Sequence, residues 1–224
     1  MSLSILGLDT STAATAVCLL RSDGEAFEVE PGLDALTGRP VHSRELMPAV
    51  AQVMDAGGLA FADLSAISVG VGPGGFTGLR IGIATARALA QADGLALRPI
   101  SSLAALAAGI AAPLALPLID ARRGELFAAL YAQGDELWAP FLASPERIVE
   151  LLIEAGLRPV AAGDGALRSR QTLEAGGLEL AGAGSRSHVV RALHICRLAA
   201  QASDVPPEAV LPDYLRAPDA HPTR

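Results

Sequence analysis

Residues 69–92 read VGVGPGGFTGLRIGIATARALAQA. An apolar run breaks into glycines and then resumes with a three-to-four residue apolar period, which predicts strand, glycine loop, helix. Pro73 removes a backbone donor, and Gly70, Gly72, Gly74 and Gly75 admit positive φ or the close approach of another group. Thr77 is placed to cap the helix that follows, residues 77–92. Inside that helix Gly78, Gly82, Ala86 and Ala90 recur every four residues and leave one face nearly bare. Two glycines there cost about 1 kcal/mol each relative to alanine. A bare face at that cost implies that something approaches it closely, either from the same fold or from another chain.

Gly70, Gly72 and Gly75 also satisfy G-x-G-x-x-G between a strand and a helix, the spacing of a phosphate cradle. A dinucleotide site needs an acidic residue at the end of the next strand. Asp93 falls before that strand, residues 95–100, begins.

The rest of the chain alternates in the same way. Residues 4–8 form a strand ending at Asp9-Thr10-Ser11-Thr12, and residues 14–20 return as a second, so the pair is a hairpin with a polar tip. A weak strand follows at residues 26–29. A helix over residues 41–57 presents Leu46, Met47, Val50, Val53 and Met54 on one side, with Pro48 close to its start and Gly57-Gly58 as its stop. Residues 67–71 form the central strand. A helix capped by Ser101 or Ser102 precedes a strand at residues 114–119, which ends at Asp120; the polar turn Ala121-Arg122-Arg123-Gly124 then leads to a strand at residues 125–131. Asp9 and Asp120 stand 111 residues apart, about half the chain, and that offset sets Leu8 on Ile119 and Ala16 on Phe127. Matched hairpins at half the length are the mark of a duplicated α/β unit. Residues 144–155 form a helix opened by Ser144 and Pro145, residues 160–162 a short strand, and residues 188–201 an amphipathic helix.

Composition narrows the function classes. The 224 residues are 51% hydrophobic and only 4% aromatic, so the core is filled by small aliphatic side chains. With 17 basic against 24 acidic residues, a net charge of −7, there is no footprint for a phosphate backbone. The first ten residues carry no basic leader, and the uncharged run of residues 100–119 is interrupted by Gly109, Pro113 and Pro117, so neither secretion nor a membrane span is expected. Cys18 and Cys196 are too few for a disulfide framework and read as reduced thiols. His42, His188, His194 and His221 match no metal-ligand spacing, there is no G-x-S-x-G elbow, and neither cysteine sits beside an activating base.

Asp9 and Asp120, each ending a strand before a turn, admit two readings. They are the two carboxylates of an ATP and magnesium cleft, with Thr10 and Ser11 beside the phosphate, or Asp9 caps its own turn through an Asx motif. A phosphate loop calls for glycine just after the aspartate, where Thr10, Ser11 and Thr12 stand instead. Arg122, Arg123 and Glu125 form a charged turn, and Arg80 and Arg87 share one face of the smooth helix.

ILGLDTST, VGVGPGGFTGLRIGIATARALA, LIDARRGELFAALY and the terminal PDYLR together resemble the TsaB (YeaZ-type) family. The resemblance implies an α/β chain with an actin-like, Hsp70-like fold of two ribonuclease-H-like halves, residues 1–100 and residues 101–224, with mixed sheets and flanking helices. It implies a cytoplasmic, non-catalytic subunit that heterodimerises with a TsaD-type transferase to form N6-threonylcarbamoyladenosine at position 37 of tRNAs reading ANN codons. The resemblance also implies a TsaE-type ATPase in a larger complex, with tRNA touched only indirectly; a third reading, compatible with this one, is a homodimer that uses the same helix surface on itself until the partner arrives. No cofactor is required by the chain itself, and ATP with magnesium is expected only at a subunit junction. The partner surface carried over is the helix pair over residues 41–57 and 77–92, with Leu46, Val50, Val53, Met54, Phe76, Gly78, Arg80, Gly82, Ala86 and Ala90 as its residues. The enzyme-class rival is an actin-like ATPase or phosphotransferase using Asp9 and Asp120 with magnesium.

Overall fold

Ile5–Asp9 (β1) is buried along its whole length, as befits a strand covered on both faces. In the computed structural model, which describes residues 3–215, β1 pairs antiparallel with Ala16–Leu20 (β2) and parallel with Ala66–Gly72 (β4). Ala26–Val29 (β3) adds to β2 and Ala96–Ser101 (β5) to β4, giving a five-stranded sheet of order β3-β2-β1-β4-β5. The second sheet repeats it: Leu114–Asp120 (β6), Leu126–Ala132 (β7), Asp135–Ala143 (β8), Val160–Ala162 (β9) and Glu179–Leu180 (β10) run in the order β10-β9-β6-β7-β8. In each sheet the first three strands meander antiparallel and the fourth and fifth join in parallel. The duplication read from the two hairpins thus extends to whole sheets. The register corrects one detail: Asp9 faces Ala16, whereas Asp120 faces Leu126, so the second loop is one residue shorter and Ala16 corresponds to Leu126 rather than Phe127.

His42–Gly57 (α1) and Phe76–Asp93 (α2) cover one face of the first sheet, and their apolar sides, Leu46, Val50, Val53, Met54, Ile83, Ala86 and Ala90, join Leu6, Leu8, Ile67 and Val69 in one core. Pro48 lies in the second turn of α1, on its exposed side. The helix start is irregular, with Arg44 and Glu45 both donating to the Val41 carbonyl and no side-chain cap. The expected Thr77 cap is replaced: Gly75 is the N-cap, α2 opens at Phe76, and Thr77 lies exposed in the first turn.

Two of the remaining helices lie between the halves. Ser102–Ala107 (α3), capped by Ser101 through the Ala104 N–H, follows the first sheet in sequence and packs between the sheets, against β4 and β5 of the first and β6 and β7 of the second. Pro145–Ala155 (α4), Asp164–Arg168 (α5) and Arg170–Ala175 (α6) belong to the second sheet's side. Ala192–Ala199 (α7) comes from the second half and packs on β1 and β2. Side chains of both halves, among them Ile5, Leu103, Ile119, Phe127 and Cys196, share one core. The first sheet ends with β5 at Ser101 and the second begins with β6 at Leu114, while α7 packs from the second part of the chain onto the first sheet. The helix expected over residues 188–201 is shorter, because the His188 ring is held among the carbonyls of Gly163, Ala181 and Gly182 and Val189 is extended. Arg216 and His221 lie outside the described residues. Among the described residues no helix is long and apolar enough to cross a membrane.

Candidate functional site

The glycine motif acts first on the loop that follows β1. The Asp9 carboxylate, 1% exposed, accepts from the Ser11 N–H (2.9 Å) and Ser11 hydroxyl (2.7 Å) at Oδ1 and from the Ser102 hydroxyl (2.8 Å) at Oδ2. Burial pushes its pKa up, and the hydroxyl and amide bonds oppose that rise. The Asp9 carboxylate thus caps its own turn in an Asx motif, and the polar tip is buried from Thr10 through Thr12. A Cβ at Gly70 would run into the Asp9 carboxylate, one at Gly74 into the Ser11 carbonyl, one at Gly78 into the Thr10 carbonyl, and one at Gly82 into Thr10 Oγ1. The Thr10 hydroxyl donates to the Gly78 carbonyl (2.8 Å), and the Gly75 N–H donates to the Ser11 carbonyl (2.7 Å). Four glycines thus seat the loop of residues 9–12 against β4 and α2.

That seating corrects two expectations. Gly70 makes room for a carboxylate of its own chain, which removes it from a phosphate cradle. The bare stripe of Gly78, Gly82, Ala86 and Ala90 is buried inside the fold, as are Leu46, Val50, Val53 and Met54, so eight of the ten residues expected at a partner surface are buried within the chain itself. Phe76, 37% exposed, and Arg80 remain at the surface.

Between the halves lies a cleft of about 810 Å³. Ser11 and Asp120 line it; Asp9 and Thr10 do not. Asp120 at the end of β6 accepts the Arg122 N–H (2.9 Å) and pairs with Arg168 Nε (3.0 Å) and Arg122 Nη1 (3.3 Å). Arg122 and Arg123 both adopt left-handed φ, 64° and 56°, in the tight turn that returns the chain to β7. Asp164, the first residue of α5, accepts the Asp120 N–H (3.0 Å) and is 7% exposed. Burial raises its pKa from 3.8 to about 6, with the neighbouring Asp120 charge adding to the rise. Sequence reasoning passed over Asp164; its only signal was an aspartate between two glycines directly after a strand. His42, 3% exposed, shares a 2.9 Å hydrogen bond with the Thr15 hydroxyl, and burial lowers its pKa. Among the described residues no group of three or more histidine, cysteine, aspartate or glutamate side chains is placed to hold a metal ion.

The rim of the cleft carries an aromatic cluster. Tyr214 stacks on Phe76 with centroids 5.2 Å apart, and the Arg80 guanidinium lies 3.9 Å from the Phe76 centroid. Arg80 Nε donates to the Tyr214 hydroxyl (3.1 Å). Four large hydrophobic side chains stand exposed on α1, α2 and the segments beside them: Val41, Met47, Phe76 and Leu211.

Two duplicated ribonuclease-H-like halves facing one cleft make this an actin-like, Hsp70-like protein. Residues 39–219 match the family model described as "TsaD: tRNA N6-adenosine threonylcarbamoyltransferase". Two proteins named tRNA threonylcarbamoyladenosine biosynthesis protein TsaB are 37% identical to the chain. The Bacillus subtilis protein matches over 131 residues, 58% of the chain and 55% of that protein; the Escherichia coli protein matches over 139, 59% and 56%. The chain spans about half the length of the curated relatives it matches. The solved structure of YeaZ from Pseudomonas aeruginosa is 30% identical, covers 96% of the chain and 100% of its own, and superposes with a TM-score of 0.77. The chain belongs to the TsaB (YeaZ-type) family.

Proposed function

We propose that the chain is a non-catalytic scaffold subunit that binds and activates a TsaD-type transferase in forming N6-threonylcarbamoyladenosine at position 37 of tRNAs reading ANN codons. The names of the relatives support the pathway. The match to the transferase family model supports the partner, because two chains of one fold carry equivalent α1 and α2 helices and can pair them about a pseudo-two-fold axis.

The observation that carries the reading is the outer face of α1 and α2. With their large apolar side chains already in the core, these helices still expose Met47 (48%) and Phe76 (37%), together with Pro48, Ala51, Ala84 and Ala88. Met47 and Ala51, and Arg80, Ala84 and Ala88, follow four-residue spacing, so this face has a ridge of small side chains that a second helix pair can approach closely. The interface residues are therefore these exposed ones rather than the buried stripe. A TsaE-type ATPase would join the heterodimer in a larger complex, and the same face would serve a homodimer when the partner is absent.

The rival reading, an actin-like ATPase with Asp9 and Asp120 around magnesium, needs Asp9 to face the cleft, and its carboxylate is bonded to Ser11 and Ser102 instead. Size-exclusion chromatography with light scattering on the chain mixed with the transferase subunit tests the scaffold reading. A one-to-one complex is expected, abolished by Met47→Asp or Ala84→Arg with the thermal midpoint of the free chain unchanged. No complex at tens of micromolar, or a complex indifferent to both substitutions, overturns it. ATP hydrolysis by the isolated chain that is lost in Asp9→Ala would favour the rival.

A further inference from the structure

After α7 the chain does not stay with the half it came from. The Val205 N–H donates to the Leu97 carbonyl (2.9 Å) at the edge of β5, and a 3-10 turn at Pro207–Ala209 packs on α2. Val210, 2% exposed, enters the core beneath α2, and the Asp213 N–H donates to the Val71 carbonyl (2.8 Å) at the end of β4. Residues 205–215 are thus a strap laid over the first half and fixed at both ends. Tyr214 is its working end: it stacks on Phe76 and accepts the Arg80 Nε hydrogen bond.

Phe76 and Arg80 are otherwise loosely held. Phe76 occupies the first position of α2, where no side-chain cap fixes the turn, and among the described residues Arg80 makes no ion pair with any carboxylate. A solvent-facing aromatic and a long cation each lose rotamer freedom when a partner binds, and holding them beforehand reduces that loss. Aromatic and arginine side chains of this kind are the usual energetic centre of an interface.

We propose that the strap is a positioning element for partner binding: Tyr214 holds Phe76 and Arg80 in one arrangement, so that a transferase-type subunit sets an apolar side chain on the Phe76–Tyr214 stack and a carboxylate on Arg80. This rests on the scaffold reading above, and it adds that the chain's C-terminal segment, far in sequence from α2, sets the affinity. The transferase-type subunit is the occupant because this cluster is continuous with the face of α2 assigned to it above. Phe76 and Arg80 begin the row that continues through Ala84 and Ala88, and Leu211, the strap's own exposed hydrophobic (67%), extends the apolar character beyond the helix pair.

The test is titration calorimetry of the full chain against the transferase subunit, with thermal unfolding of each variant alone. Tyr214→Ala, which removes both contacts, should weaken the complex by about 10-fold or more. Tyr214→Phe, which keeps the ring and loses the hydroxyl, should weaken it by about threefold, and both should leave the thermal midpoint within about 2 °C of the parent. Wild-type binding with Tyr214→Ala within twofold of it overturns the strap proposal and leaves the scaffold reading standing. No binding by the wild type overturns both. Should Tyr214→Ala fail to fold, Tyr214→Phe decides the matter, because unchanged affinity there removes the Arg80 contact from the interface.

Discussion

Gly82→Ala is the substitution at which local propensity and tertiary packing disagree most sharply. On an exposed helix it would stabilise by about 1 kcal/mol. In α2 the new methyl group is directed at Thr10 Oγ1, in a site where Thr10 is 1% exposed and its hydroxyl is bonded to the Gly78 carbonyl at 2.8 Å. Overpacking of a full core costs about 1–3 kcal/mol, and displacing the hydroxyl gives up a buried hydrogen bond worth about 1 kcal/mol. The net effect is a destabilisation of about 1–3 kcal/mol, which for a chain of this size lowers the thermal midpoint by about 3–10 °C. Calorimetric or fluorescence-monitored unfolding reads it directly. A double-mutant cycle isolates the cause: with Thr10→Ala the methyl group has room, and Gly82→Ala should become neutral or stabilising, a coupling of about 2 kcal/mol. A raised midpoint in the single variant, or additivity within about 0.5 kcal/mol in the cycle, would show that the stripe does not serve the loop of residues 9–12. A bulkier residue at Gly82 is expected to unfold the chain, not merely to detach a partner.

Other outcomes follow from two buried carboxylates, Asp164 and Asp9. Because Asp164 has a pKa near 6 in the fold against 3.8 ordinarily, its protonated form is the one the fold favours; that contribution is complete below about pH 4 and lost as pH rises through about 6, a change worth about 3 kcal/mol. Asp164→Asn should therefore gain on the parent by up to that amount between pH 4 and pH 7.5 in chemical unfolding, and a difference independent of pH would contradict the burial argument. At Asp9, asparagine keeps an acceptor for Ser11 and a polar partner for Ser102 and should cost under about 1 kcal/mol, whereas alanine orphans both and should cost about 2–4 kcal/mol. Equal stability of the two variants would mean that those bonds do not hold the loop.

Much of this architecture is legible in the sequence where a signal is local. The hairpin ending at Asp9, its copy ending at Asp120, the glycine stop of α1 and the Ser144-Pro145 opening of α4 each depend on residues within a few positions of one another. Elements without such signals were missed. Strand β8 reads DELWAPFLA, with charges and Pro140 that suggest a loop, and the sheet tolerates them because β8 is an edge strand. Helices α5 and α6, of five and six residues, are too short to show a period. Asp164 gains its importance from the Asp120 N–H 44 positions away, and Tyr214 from Arg80, 134 positions away.

The periodicity of residues 69–92 by itself determined that α2 has a bare face against which something must lie close. What lies there only the tertiary structure decided. A stripe of glycine and alanine fits a partner helix and a loop of the same chain equally well, because absence of side chain specifies distance and not identity. The meeting of the Thr10 carbonyl with Gly78, and of Thr10 Oγ1 with Gly82, is set by the parallel pairing of β1 with β4, which brings the loop after β1 over the start of α2. Once that space is filled from within, the surface left for another chain is the opposite row of α2 and the strap that returns to it from the far end of the sequence.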